Sequence, residues 1–214
     1  MSLINEIFRY YVFNSEYVFM QFTRHFLISI YGVIFASLIA IPLGCYLSRH
    51  IRLAQWIISM ANILQTIPAL AMLTIIMVLL GLGVNSVIVT VMIYSLLPII
   101  KNTYTGIKNV DKNVLDAAKG MGMTKYQILF KIEIPLALSI IMAGIRNAIV
   151  LAIGITAIGT FVGAGGLGDI ITRGINVSNG SAVILAGAIP TALMAVISDG
   201  IIGMLERRLD SSKR

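Results

Sequence analysis

Apolar residues dominate long stretches of this chain, and the polar interruptions between them are short. A helix needs roughly 20 apolar residues to cross a hydrocarbon core of about 30 Å. Five segments reach that length, at about 26–47, 56–80, 84–100, 136–157 and 182–203. The second is long and carries Pro68 in its middle; the third is short. Ahead of them, Leu3, Ile4, Ile7, Phe8 and Tyr11 recur at helical spacing, so residues 1–25 read as an outer segment with a short helix along the membrane surface. These residues lack a basic leader followed by an apolar core and a small-residue cleavage site, the marks of a signal peptide. The pattern predicts an all-α integral membrane protein: an interfacial segment 1–25, a membrane domain 26–203 with a polar loop at 101–133, and a tail 204–214.

Composition agrees. Of 214 residues, 58% are hydrophobic and 12% charged, where a soluble domain carries roughly 25% charged residues. The net charge of +7 could indicate a nucleic-acid partner, but the basic residues sit in short segments between apolar runs. Membrane topology is the usual cause of that pattern, and no nucleic acid is expected. Arg49, Arg52, six lysines between 101 and 131, and Arg207, Arg208, Lys213 and Arg214 put twelve basic residues on one side. Arg9, Arg24 and Arg173 put three on the other. This predicts an N-terminus outside and a C-terminus in the cytoplasm. Cys45 is the only cysteine and lies in an apolar run without metal-ligand spacing, so it reads as a small buried hydrophobe and no metal is expected.

The extended polar region, 101–133, is where chemistry concentrates. Asp116-Ala117-Ala118-Lys119-Gly120-Met121-Gly122 is followed nine residues later by Ile132-Glu133-Ile134-Pro135. That reads as a short helix, a glycine turn, and a second helix ending before proline. Ala117 and Ala118 are small enough for another protein to approach closely, Gly122 permits a left-handed turn, and Pro135 suits the start of a membrane helix. The segment resembles the cytoplasmic loop of bacterial ABC-importer permeases: E-A-A, three residues, G, nine residues, I-x-L-P. Every spacing agrees; Asp116 replaces Glu and Ile134 replaces Leu. The resemblance implies a type I ABC-importer permease fold. It also implies that Asp116, Ala117, Ala118, Gly120, Gly122, Ile132 and Pro135 form a coupling helix and its flank, docked on an ATPase. The chain has no G-x-x-x-x-G-K-[ST] loop, so no cofactor is expected and ATP belongs to a partner.

Gly163-Ala164-Gly165-Gly166-Leu167-Gly168 satisfies G-x-G-x-x-G, but an apolar span precedes it and no acid occurs in the 15 residues beyond Asp169, so it is no dinucleotide fingerprint. It resembles the run after the penultimate span in permeases for methionine and for quaternary-ammonium osmoprotectants, an external loop near the gate; helix packing alone is the other reading. Asn62, Gln65, Thr66 and Pro68 form a polar notch in the second span, lining a pathway or bonding between helices. Pro68 should kink that helix by freeing the carbonyl of Leu64. Gln65-Thr66-Ile67-Pro68-Ala69 resembles osmoprotectant permeases. Arg146 and Asp199 read as functional charges, an ion pair or snorkelling groups. The two histidines, His25 and His50, fall at opposite ends of the first span, offering no acid–base pair.

The resemblance spans essentially the whole chain and points to importers of glycine betaine, carnitine and choline. It implies a partner ATPase dimer, a second permease (a copy or a homologue) and a separate extracytoplasmic binding protein. Methionine or another small amino-acid-like solute is the alternative. An ATP-independent carrier and a non-transporting anchor subunit are the rivals from other classes.

Overall fold

The computed structural model describes residues 3–209; Lys213 and Arg214 of the predicted tail lie outside the described residues. Within that range the regular structure is all helical, without strands. Ten α-helices run as α1 (Leu3–Phe13), α2 (Ser15–Leu47), α3 (Ile51–Thr66), α4 (Ala69–Leu80), α5 (Val84–Lys108), α6 (Lys112–Gly120), α7 (Lys125–Ile128), α8 (Ile134–Ile158), α9 (Leu167–Ile175) and α10 (Ser181–Leu209). A π turn at Leu129–Glu133 joins α7 to α8, and a 3-10 turn at Gly159–Val162 follows α8. Four helical runs are long and apolar enough to cross a membrane, and α3 with α4 makes up to five if that bent pair counts as one.

Several boundaries differ from the hydropathy reading, each for a physical reason. α1 occupies only the first part of segment 1–25; from Ser15 onward the chain is already in α2, which has 33 residues. Gln21 and His25 look like flanking polar residues, but both are buried, so the helix continues through them. α5 runs to Lys108 rather than stopping near 100, because Asn102 and Thr105 turn to a cavity and Thr103 is buried. The expected kink at Pro68 is a full break. Ile67 is extended (φ −67°, ψ 128°), as the residue before proline prefers, and the axes of α3 and α4 differ by 98°.

α2, α5 and α8 form the centre. The face of α2 toward α5 carries Gly32, Ala36, Ala40 and Gly44, one small residue per turn, all buried. A Cβ added at Gly32 would sit 2.3 Å from Val91 Cγ1, and one at Gly44 would sit 2.6 Å from Thr103 Cβ. α5 meets α8 in the same manner, with Gly144 against the Pro98 carbonyl oxygen, 2.9 Å from where its Cβ would be. Small residues let backbones approach closely, and in lipid that dispersion contact drives association. Around this centre α10 packs on α8 and α9, and α1 reaches across to α10. There Tyr11 donates its hydroxyl to Ala186 O at 3.0 Å. Pro190, four residues on, has no N–H with which to claim that carbonyl.

The helix ends group by contact. Arg49 after α2 pairs with Glu133 before α8, which joins those two connections at one end. At the other, the Gly83 N–H donates to Val162 O at 2.7 Å, joining the α4–α5 turn to the segment after α8.

Leucine at Gly32 or Gly44 must drive α2 from α5. Each change should cost about 1–3 kcal/mol and lower the melting temperature of the detergent-purified protein. Gly154→Ala puts a Cβ where nothing lies within 4 Å and should leave it unchanged. Equal melting temperatures for all three variants would show that this contact does not hold the bundle.

Candidate functional site

At the end marked by Arg49 and Glu133, α6 stands as a nine-residue helix with most of its surface exposed. Asp111 caps its start by accepting from the Asn113 N–H at 2.8 Å. Its other end closes with Gly122 at φ 78°: the Gly122 N–H donates to Lys119 O at 2.9 Å and the Met123 N–H to Ala118 O at 3.1 Å. That is the paired closure of a glycine-terminated helix, and it requires left-handed backbone at Gly122. Asp116 is exposed and pairs with Lys119 at 2.8 Å, and that hydrogen bond holds its carboxyl below the usual range. Ala117 faces outward, whereas Ala118 is fully buried, so only one of the two alanines is available to another protein. Gly120 is exposed with open space around it, Ile132 is half-buried and Pro135 exposed.

The second helix of the loop does not end before proline, as its sequence suggests. α7 opens on a reciprocal cap between Thr124 and Gln127 and passes through the π turn directly into α8. The Ile134 N–H reaches back five residues to Leu129 O, a wider turn that comes just before Pro135. Glu133, in the middle of the I-E-I-P motif, is 1% exposed and bonded to Arg49. Removing one partner of such a pair leaves a buried charge uncompensated.

The polar notch lies at the break between α3 and α4. Gln65 Nε2 donates to Tyr94 O at 2.8 Å. Pro98 sits four residues beyond Tyr94 in α5 and lacks the N–H that would otherwise take that carbonyl. The Tyr94 hydroxyl in turn donates to Ile67 O inside the break. One α5 residue thus accepts from one side of the break and donates to its middle. The Leu64 carbonyl, expected to be free, accepts from the Ile67 N–H. Gln65 also lines a cavity of about 540 Å³ with Lys101, Asn102, Thr105, Asn147 and Leu151. Asn62, Thr66 and Pro68 are exposed and outside that lining, so the notch does not act as one group. Of the cavity's polar lining, reading the sequence found Gln65 alone. Hydropathy had placed Lys101, Asn102 and Thr105 in a loop.

The glycine run turns the chain from α8 into α9. Gly163, Gly165 and Gly166 have φ of 75°, 71° and 85°. A Cβ on Gly168 would lie 1.9 Å from Ala157 O. The Gly166 N–H donates to Gln21 Oε1 at 2.6 Å and the Leu167 N–H to His25 Nδ1 at 3.2 Å. His25 Nε2 bonds Ile153 O at 3.0 Å as donor, since Nδ1 accepts. Ser29 donates to Thr156 Oγ1 at 2.9 Å. The first amides of α9 have no partners within their own helix, and side chains of α2 satisfy them. Gln21, His25 and Ser29 recur every fourth residue, a signal visible in the sequence but masked by its placement at a span's edge. Beyond the turn, Asp169 accepts from the Tyr17 hydroxyl and pairs with Arg173 at 2.9 Å.

Arg146 and Asp199 meet as an ion pair, Nε and Nη2 on the two carboxylate oxygens at 2.5 and 2.7 Å. Glu206 adds a contact at 3.4 Å.

Residues 32–211 match the family described as "Binding-protein-dependent transport system inner membrane component". The chain is 62% identical over 213 residues to the carnitine transport permease protein OpuCD of Listeria monocytogenes, covering 100% of this chain and 96% of that one. It is 58% identical to the glycine betaine/carnitine/choline permease OpuCD of Bacillus subtilis, covering 100% and 93%. Among solved structures, an inward-facing MetNI methionine ABC transporter superposes with a TM-score of 0.80 at 20% identity, over 90% of this chain and 95% of that one, a likeness of fold. The chain therefore belongs to the family of binding-protein-dependent transport system inner membrane components.

Proposed function

We propose that the chain is one permease half of an ABC importer for quaternary-ammonium solutes such as glycine betaine, carnitine and choline. It moves them by alternating access while a separate ATPase dimer hydrolyses ATP. One observation carries the mechanism: α6 is an exposed helix at a membrane protein's end, closed at Gly122 by a turn that leaves its surface free. A helix of that kind fits a groove on a soluble partner, with Asp116, Ala117, Gly120 and Gly122 at the contact, while Ile132 and Pro135 join it to α8. The solute class comes from the relatives at 62% and 58% identity; the methionine transporter, at 20% identity, supports the fold.

The rest follows from that reading. Two ATPases closing together need two coupling helices, so a second copy or a homologous chain completes the pore, and a separate extracytoplasmic protein delivers the solute. The twelve-to-three distribution of basic residues favours α6 in the cytoplasm with the N-terminus outside. The turn at Gly163–Gly168 is then external, near the gate. Gln65, at the α3–α4 break, lines the pathway, and Asn62, Thr66 and Pro68 shape the break beside it.

Two variants test the two ends. Gly122→Val forces a β-branched side chain into left-handed backbone and should abolish binding-protein-stimulated uptake in proteoliposomes while the protein still inserts in the membrane. Normal uptake would refute coupling through α6. Gln65→Leu removes the donor to Tyr94 O. Uptake should drop several-fold, with complex assembly and binding-protein affinity unchanged. Unchanged uptake would take Gln65 out of the pathway.

A further inference from the structure

Lys101 lies on α5 seven residues before its end at Lys108, inside a helical run that qualifies as a membrane span. It lines the 540 Å³ cavity beside Gln65, Asn102, Thr105 and Asn147, and no carboxylate is among the lining residues. Among the described residues Lys101 has no ion-pair or hydrogen-bond partner. The next basic group on a neighbouring helix, Arg146, is taken up by Asp199 at 2.5 Å and by Glu206 at 3.4 Å. The cavity therefore holds one uncompensated positive charge among neutral amides and a hydroxyl.

Lys101 is exposed near the end of α5 that leads into the basic loop, so its ammonium group faces water at the mouth of the cavity rather than hydrocarbon. Its three donors have no acceptor among the described residues. Two of the three amides already have work on their donor sides. Gln65 Nε2 bonds Tyr94 O and Asn102 Nδ2 bonds Pro98 O at 2.8 Å. Asn147 is exposed to the cavity with its amide uncommitted among the described residues. Cavities of a few hundred Å³ suit small solutes with part of their hydration shell. What this one lacks is an acid to hold a quaternary ammonium; what it offers is a cation and an amide donor for an anionic group.

We infer that this cavity is a transient subsite for the carboxylate of a zwitterionic solute, with Lys101 as its charge partner and Asn147 as a hydrogen-bond donor. The inference rests on the function proposed above and narrows it. Glycine betaine and carnitine carry a carboxylate that Lys101 attracts. Choline is a cation without one, and Lys101 repels it. The permease then adds a selection step of its own after delivery by the binding protein. An open, watered site keeps the attraction modest, which lets the solute leave.

The test uses the intact transporter, with its ATPase and binding protein, in proteoliposomes. Uptake of labelled glycine betaine and choline is measured at saturating binding protein for the unaltered chain, Lys101→Gln and Lys101→Arg. The glycine betaine-to-choline uptake ratio should fall about tenfold in Lys101→Gln and return most of the way in Lys101→Arg. An equal loss of both solutes would make Lys101 a structural residue, and no change in either would make it a group reaching lipid phosphates; each result overturns the subsite. An unaltered transporter that prefers choline also overturns it while leaving the quaternary-ammonium importer standing. Transport of neither solute overturns the proposed solute class, and the subsite with it.

Discussion

In a bilayer no aqueous penalty presses one apolar helix against another, because lipid tails are as apolar as leucine. What holds helices together there is contact at short range, and everything else in this chain depends on the contact made by α2 along α5. Gly32, Ala36, Ala40 and Gly44 strip one face of α2 to its backbone, so the side chains of Val91 and Thr103 fit into the space a Cβ would fill. α5 is thereby fixed between α2 and α8. Since α5 carries Tyr94, Pro98, Lys101 and Asn102, the break in the second span and the cavity beside it inherit their positions from that packing.

Polar groups do the fine positioning. The glycine turn after α8 gains little from apolar contact at Gly163, yet it is held through the first amides of α9, which Gln21 and His25 satisfy from α2. At the opposite end, Glu133 is buried and bonded to Arg49, so the turn after α2 and the start of α8 move as a unit. The loop bearing α6 enters through α5 and leaves through that unit. A displacement of α6 would thus reach α8 and α2 together, which is what the proposed docking of a soluble partner at α6 requires.

Much of this architecture was legible in the sequence, and the misses share a cause. Hydropathy reports which residues can face lipid, so it found the apolar cores of the spans; the spacing of small residues marked the loop motif with its left-handed Gly122. Hydropathy could not tell a polar residue that ends a helix from one that turns inward. Gln21 and His25 were therefore left outside α2, and Lys101 to Thr105 outside α5, although both stretches are helical. Ala117 and Ala118 looked equivalent because neighbouring residues on a helix differ by direction, which composition does not carry. Arg146 and Asp199 could be noticed as intramembrane charges, but their pairing depends on the antiparallel register of α8 and α10.

Two of the three prolines inside the long helices, Pro98 and Pro190, shape how this chain tolerates change. Pro98 leaves the Tyr94 carbonyl to Gln65, and Pro190 leaves the Ala186 carbonyl to Tyr11. Each of these two prolines acts as one unit with its distant donor. Losing the donor alone leaves the carbonyl without its partner, and losing the proline alone returns a competing N–H to the helix. Positions 65 and 98, far apart in sequence, should therefore show epistasis, and so should 11 and 190. A double-mutant cycle with strictly additive costs would break that link.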